Sequence, residues 1–219
     1  MDLMKGGARR GTVPPRGIAG LSTALDELAK VAASAGLPLD QPGREQLGRW
    51  AELVVEWRSA AQLTGVTSAR EVVRALMIPA LHALWLLRPE PRMSIVDLGC
   101  GSGSTGAALA VAARAGDWVL VDRAEKKVTF CRYAIRECRI GNARALSLSE
   151  YRQSGGRADV VLARGLPRGS HAEETIHAVG SPGALIIRWV GGKGSPGGSA
   201  VRCGTLDLWV SATDTLCFT

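Results

Sequence analysis

Between Leu21 and Leu87 apolar residues recur every three or four positions, the spacing of helices that bury one face. "STALDELAKVAASAG" predicts a first helix with Ser22 as N-cap and a stop at Gly36. "GREQLGRWAELVVEWRSA" predicts a second, with Leu47, Trp50, Ala51, Val54 and Trp57 along its buried stripe. "SAREVVRALMIPALHALWLL" predicts a third through Val73, Leu76, Ala80, Leu84 and Leu87, kinked at Pro79. After "RPEPR" the texture changes. Short β-branched runs ("MSIVDL", "WVLVD", "ARALSL", "ADVVLA", "ALIIRWV") alternate with helical ones ("TGAALAVAARA", "AEKKVTFCRYAIREC", "HAEETIHAVG"), the mark of a doubly wound parallel α/β sheet. The glycine-rich tail ends in alternating residues that predict a terminal antiparallel pair. Three parts follow: a flexible basic arm over 1–18, a helical extension over 19–91, and a Rossmann-like α/β domain over 92–219.

One stretch carries candidate chemistry. "SIVDLGCGSGSTGAALA", Ser94 to Ala110, sets Gly99, Gly101, Gly103 and Gly106 behind a strand ending in Asp97. In an open parallel sheet such a turn lies at the carboxyl ends of the strands, where ligands bind. Two ligands compete for it, a nicotinamide dinucleotide and S-adenosylmethionine. Gly101-x-Gly103-x-x-Gly106 satisfies the dinucleotide pattern, and Asp122 lies 21 residues after Gly101, placed for a ribose. Asp97, two residues before Gly99, favours the other ligand. A carboxylate repels a pyrophosphate but attracts the ammonium and sulfonium of S-adenosylmethionine. The helix starting near Ser104 offers backbone N–H groups to that ligand's carboxylate, and Asp122 can accept from both ribose hydroxyls. Neither a Tyr-x-x-x-Lys pattern nor a His–carboxylate pair suggests hydride chemistry.

Charge adds a partner class. Lys and Arg total 27 against 20 Asp and Glu, a net charge of +7, which favours a polyanion such as nucleic acid. The five cysteines are odd in number and form no C-x-x-C pair, so neither a zinc site nor a disulfide framework is expected. With no membrane-length apolar run and no apolar stretch after the basic opening, a cytoplasmic protein with reduced thiols is the expectation.

From about Gly48 to Gly191 the chain resembles the bacterial 16S ribosomal RNA guanine-N7 methyltransferase family, also called the glucose-inhibited division protein B family. "VDLGCGSGSTGAALA" is similar to the family's D-V-G-S-G-x-G-x-P-G-I-P-L-A, and "LVDRAEKKVTFCRYAIREC" to its L-L-D-S-x-x-K-R-x-x-F-L-R-x-x-x-x-E-L. "ADVVLARGL" is similar to Y-D-V-V-x-S-R-A-F. The resemblance implies a donor site at Gly99 and Ser104, with Asp122 for the ribose, Ser149 and Glu150 beside the adenine, and Arg164 at the end of the fourth strand. Asp97, Gly101 and Gly103 join that set from the electrostatic reading above. It also implies S-adenosylmethionine as cofactor and ribosomal RNA or the small ribosomal subunit as partner of a monomer. Lys126, Lys127, Arg132 and Arg136 are the candidates for phosphate contacts. No catalytic side chain is assigned, because guanine N7 already carries a free lone pair and needs no general base, and no metal is assigned. A methyltransferase with another acceptor, or an RNA-binding assembly protein without turnover, are the alternatives. Departures from the family gather on the presumed RNA side: Ala75 replaces a histidine, "IPAL" replaces D-S-L, Gln62 an asparagine and Val190 a lysine, and the family's basic tail has no counterpart. Elsewhere, Trp50, Trp57 and Trp85 are expected in the core, His82 on a helix surface, and Cys100 as a small residue that suits the turn.

Overall fold

Strands β1 (Ser94–Leu98), β2 (Asp117–Asp122) and β4 (Ala158–Ala163) are nearly continuous apolar runs because both of their faces are covered. With β3 (Ala143–Ser147) and β5 (Gly180–Trp189) they form a parallel sheet, continued by the antiparallel strands β7 (Leu206–Ala212) and β6 (Ser199–Cys203). The order is β3-β2-β1-β4-β5-β7-β6. The chain winds outward from β1 to β3, then returns to the other side of β1 as β4. The switch point, where open α/β sheets bind ligands, therefore lies at the β1–β4 boundary. The computed structural model describes residues 16–166, 169–189, 199–203 and 206–212. Most of the basic arm, the 190–198 segment with Val190, and the last seven residues lie outside the described residues.

The two-residue period of the strands sorts the core into two layers. Ile95, Trp118, Leu120, Leu162 and Ile187 face one way, onto the helical extension, α5 (Ser104–Ala113) and α6 (Glu125–Glu137). Val96, Leu98, Val119, Val121 and Val161 face the other, onto Tyr151 of α7 (Leu148–Gln153) and Ile176 of α8 (Ser170–Val179). Extension and sheet share one core, since Leu28, Trp50 and Leu84 belong to the same apolar cluster as Trp118. Nine of the ten residues of α5 are buried, which its run of alanines and one glycine permits where bulkier side chains would not pack.

Several local expectations need correction. The first helix, α1, spans Arg16–Ser34, so Ser22 is not its N-cap. Ser22 lies on the exposed face while the apolar face of Leu21, Ala24 and Leu28 runs past it. It also makes the last residues of the predicted arm helical. The second helix, α2 (Gln41–Trp57), has its expected stripe, with Asp40 as N-cap. The third is not one kinked helix. It comprises α3 (Ala69–Glu71), a π-helical turn over Val72–Met77, α4 (Ile78–Leu81) and a 3₁₀ turn over His82–Trp85. This irregular winding buries Leu81, His82, Ala83 and Leu84 in succession and leaves Trp85 at the surface, 37% exposed. His82 is thus a core residue, edge-on to Trp85 with ring centroids 5.4 Å apart, and Trp85 is not. Trp50 is fully buried and Trp57 partly so. On α6 the buried side is Val128, Phe130, Cys131 and Ala134, with Ile135 only partly covered.

Candidate donor site at the strand tips

Beyond β1 the backbone turns through Gly99, Gly101 and Gly103 with φ of 72°, 59° and 65°. These left-handed values are routine only for glycine. The turn is pinned to β2 by Gly99 N–H and Cys100 N–H, both donating to the Val121 carbonyl at 2.8 and 3.0 Å. The two strand-tip acids brace it as well. Asp97 Oδ2 accepts from Gly106 N–H at 2.9 Å. Asp122 Oδ2 accepts from Gly101 N–H at 3.0 Å, and its Oδ1 from Ala124 N–H at 2.9 Å. Each aspartate thus has a structural partner and retains acceptor lone pairs for a ligand. One of the first-turn donors of α5, expected to face a ligand, is held by Asp97 instead.

The glycines divide by what surrounds them. A Cβ on Gly103 would lie 2.8 Å from both Leu120 and Trp50 and 2.9 Å from Cys131 Sγ; one on Gly106 would meet Leu120 at 2.9 Å and Asp97 Oδ2 at 3.0 Å. Those two glycines let the turn pack against the sheet and α2. Trp50 also donates its indole N–H to the Ser102 carbonyl at 3.2 Å, tying the extension to the turn. Around Gly101, by contrast, a Cβ would find only the Gly99 carbonyl, at 3.9 Å. Gly101 borders open space.

That space is two cavities meeting at Gly99 and Gly165. One, of about 330 Å³, is lined by Leu98, Asp122, Arg123, Lys127, Leu148 and Leu166, with Ala172 and Thr175 of α8 opposite. The other, of about 230 Å³, is lined by Asp97, Gly101, Ser104, Thr105 and Arg164, and by Leu63, Thr64 and Leu76 from the extension. Burial pushes the Asp97 carboxyl up to about 7, opposed by the Gly106 N–H and the Arg164 charge. A hydrogen bond with Cys131, sulfurs 4.0 Å apart, together with burial pushes the Cys100 thiol well above its ordinary range, so it stays protonated.

The structure gathers Asp97, Gly99, Gly101, Ser104, Asp122 and Arg164 at these cavities. Gly103 lies behind the wall, against Trp50. Ser149 and Glu150 sit in α7, where Ser147 forms a capping box with Glu150. The Glu150 carboxylate accepts from Ser147 N–H at 2.6 Å and pairs with Arg132, and these bonds hold its pKa down. Ser149 Oγ shares a hydrogen bond with Ser147 Oγ. Neither lines the cavity; Leu148 does. Among the four basic candidates of α6, Lys126 and Arg136 are exposed, Lys127 lines the larger cavity, and Arg132 is committed to Glu150 and to the Ala145 carbonyl. Arg136 also lies over the Tyr133 ring, 5.7 Å from its centroid. Sequence reasoning missed Arg123, Leu148 and Leu166, and it missed the extension's walls. For Leu148 a signal was present, since S-x-x-E at Ser147–Glu150 announces a helix start.

A family model described as rRNA small subunit methyltransferase G, GidB, matches residues 43–194. The chain belongs to the GidB family. Proteins named ribosomal RNA small subunit methyltransferase G are similar to it: one from Roseiflexus castenholzii is 30% identical over 145 residues, covering 64% of this chain and 62% of that protein. Another, from Chlorobium luteolum, is 32% identical over 146 residues, covering 65% and 60%. The chain thus spans a little under two-thirds of the length of these two relatives. A SAM dependent methyltransferase from Aquifex aeolicus superposes with a TM-score of 0.42 at 20% identity, over 56% of this chain and 82% of that one. S-adenosylmethionine is the cofactor that GidB-family membership implies. Every residue lining the two cavities, from Leu63 to Thr175, falls inside the family match.

Proposed function

We propose that this GidB-family protein transfers a methyl group from S-adenosylmethionine to small-subunit ribosomal RNA, with guanine N7 as the acceptor. One observation carries the reading: a buried acid and a second strand-tip acid, Asp97 and Asp122, stand on either side of a glycine turn that separates two connected cavities. The residues fit the cofactor. Asp97 would hold its ammonium, since an anion buried near a half-buried arginine gains from a second cation. Asp122 would accept from the ribose hydroxyls, and Arg123, Leu148 and Leu166 would enclose the base in the larger cavity. The open side of Gly101 leaves room for the ligand to lie against the turn.

When bound, the cofactor supplies an electrophilic methyl group on a sulfonium. Guanine N7 would take the methyl with its own lone pair as the carbon–sulfur bond breaks and its electron pair stays on sulfur, so the protein need not remove a proton first. Its part is to hold the reacting atoms in line, which contributes up to about 7–11 kcal/mol in favourable systems. No nucleophile–base pair at the cavities is therefore required. An acceptor base inside folded RNA has to be unstacked or already single-stranded to reach the strand tips.

Calorimetry with S-adenosylmethionine, followed by transfer of labelled methyl to small ribosomal subunits lacking the modification, tests the proposal. Micromolar donor binding and label on a guanine N7 are expected. Donor binding with label on another nucleotide refutes the N7 assignment, and no donor binding refutes the whole reading. Phosphate contacts add a separate expectation. Lys126→Glu with Arg136→Glu should weaken RNA binding and flatten its salt dependence by about two ion equivalents. Arg132→Glu should act mainly by releasing Glu150 from its ion pair. A filter-binding series over salt concentration reads both; an unchanged slope in the double variant removes this helix from the RNA interface.

A further inference from the structure

The broken helical segment over the smaller cavity has an unusual acceptor problem. In the π turn Val72–Met77 the Ile78 N–H reaches five residues back, to the Val73 carbonyl. The next position is Pro79, which has no N–H and whose ring crowds the carbonyl four residues earlier, that of Ala75. A helix without that proline would satisfy Ala75 from its own backbone. Here Arg164, immediately after β4, does so. Its Nη2 donates to the Ala75 carbonyl at 2.7 Å and its Nη1 to the Leu76 carbonyl at 2.5 Å, with Thr105 Oγ1 more distant at 3.5 Å. The same Leu76 and Arg164 line the smaller cavity. π turns inside helices concentrate at functional sites. Ala75 is exposed and Leu76 half-buried, so water can reach the first carbonyl, and what the arginine adds is a fixed position rather than the rescue of a buried acceptor.

We propose that Arg164 is a positioning residue: it gives the Ala75 carbonyl the donor that Pro79 withholds, holds the neighbouring Leu76 carbonyl with its other nitrogen, and thereby fixes the π turn and Leu76 as a wall of the donor cavity. The guanidinium is suited to this because its planar fork sets one nitrogen on each of two adjacent carbonyls, whereas an ammonium has to reach both from a single atom on a flexible stem. The coupling joins the extension to the tip of β4 across the methyl-transfer site, so what it governs is the approach of the acceptor to a donor already bound. That consequence rests on the proposed function; the clamp itself is a property of the protein alone.

Amide hydrogen exchange and calorimetry on the full chain test the proposal. In Arg164→Met, exchange at residues 72–78 is expected to accelerate at least about tenfold. At saturating S-adenosylmethionine, kcat for transfer to small subunits is expected to fall about 30-fold or more, while donor affinity also weakens because Arg164 no longer favours the ionised form of Asp97. Pro79→Ala returns a backbone N–H, so Arg164→Met made in that background should lose markedly less protection and less kcat. Should Arg164→Met not fold, Arg164→Lys, which lacks the rigid two-nitrogen fork, is expected to show an intermediate acceleration that Pro79→Ala again reduces. Unchanged exchange at 72–78, or a wild-type kcat at saturating donor, would overturn the proposal, as would indifference to Pro79→Ala. Exchange is read without any ligand, so a wild-type protein that ignored S-adenosylmethionine would end the functional reading and leave the clamp still decided.

Discussion

Asp97→Asn is expected to weaken S-adenosylmethionine binding about 30- to 100-fold and, at pH 8, to raise the melting temperature of the free protein. The first effect follows from removing the one acid among the described residues that line the smaller cavity. A charge-assisted contact in such a setting is worth about 2–3 kcal/mol, and each 1.4 kcal/mol is tenfold in affinity. The second follows from burial. The Asp97 carboxyl sits at about 7 in the folded protein against an ordinary 3.8. Between those pH values the folded chain holds a proton that the unfolded chain has lost, so stability falls as pH rises from about 4 to about 7 and is flat above. The difference corresponds to about 4 kcal/mol in an order-of-magnitude reckoning. Asparagine keeps an acceptor for Gly106 N–H and escapes this penalty, although Arg164 then loses its nearby anion, so the gain is only part of that figure. Calorimetric affinity and melting curves at pH 4.5 and pH 8 check both halves: the stability advantage should be present at pH 8 and small at pH 4.5. In the wild type, donor binding should tighten as pH rises through about 7, as the carboxyl ionises. An asparagine variant that binds the donor normally would remove Asp97 from the site.

Gly103→Ala and Gly101→Ala, two residues apart on one turn, should fail in different ways. At Gly103 a methyl group would lie within 3 Å of Leu120, Trp50 and Cys131, at a φ of 65°. Left-handed backbone costs about 1–2 kcal/mol for a non-glycine residue and overpacking about 1–3 kcal/mol more. For a chain of this size the sum lowers the melting temperature by about 10 °C. At Gly101 only the backbone term applies, so the fold should lose a few degrees while donor affinity drops tenfold or more, because the new methyl intrudes into the cavity. Thermal melts paired with donor calorimetry separate the two. Equal loss of stability at both positions would contradict this division between packing glycine and ligand-facing glycine.

The limits of sequence reading are visible in particular residues. The strands were legible because β1, β2 and β4 are apolar throughout, and the glycine turn because no other residue type supports three left-handed positions in five. The third helical segment was not legible. Its apolar spacing looks regular from Val73 to Leu87, yet the segment runs through π and 3₁₀ turns, with Pro79 between them and five residues in a row, 80–84, buried. Periodicity describes one buried face and says nothing once a segment is covered all round, so His82 and Trp85 exchanged their expected places. Glu150 lies in the anticipated position in the chain, but its own capping box and Arg132 claim the carboxylate.

From the residues alone came the class of sheet, the position of the glycine turn at the end of β1, and the pair of strand-tip acids proposed to meet a cationic nucleoside. These depend on local chemistry: alternation, backbone permissiveness and charge, all of which act within a few residues. The tertiary structure decided which partners those groups meet. Only folding brings Leu63 and Leu76 from the extension against the turn, sets Trp50 behind Gly103, and carries Arg164 across 88 positions to the Leu76 carbonyl. Such contacts between distant segments are selected by burial and unmet hydrogen bonds in the assembled core, quantities that no short window of sequence contains.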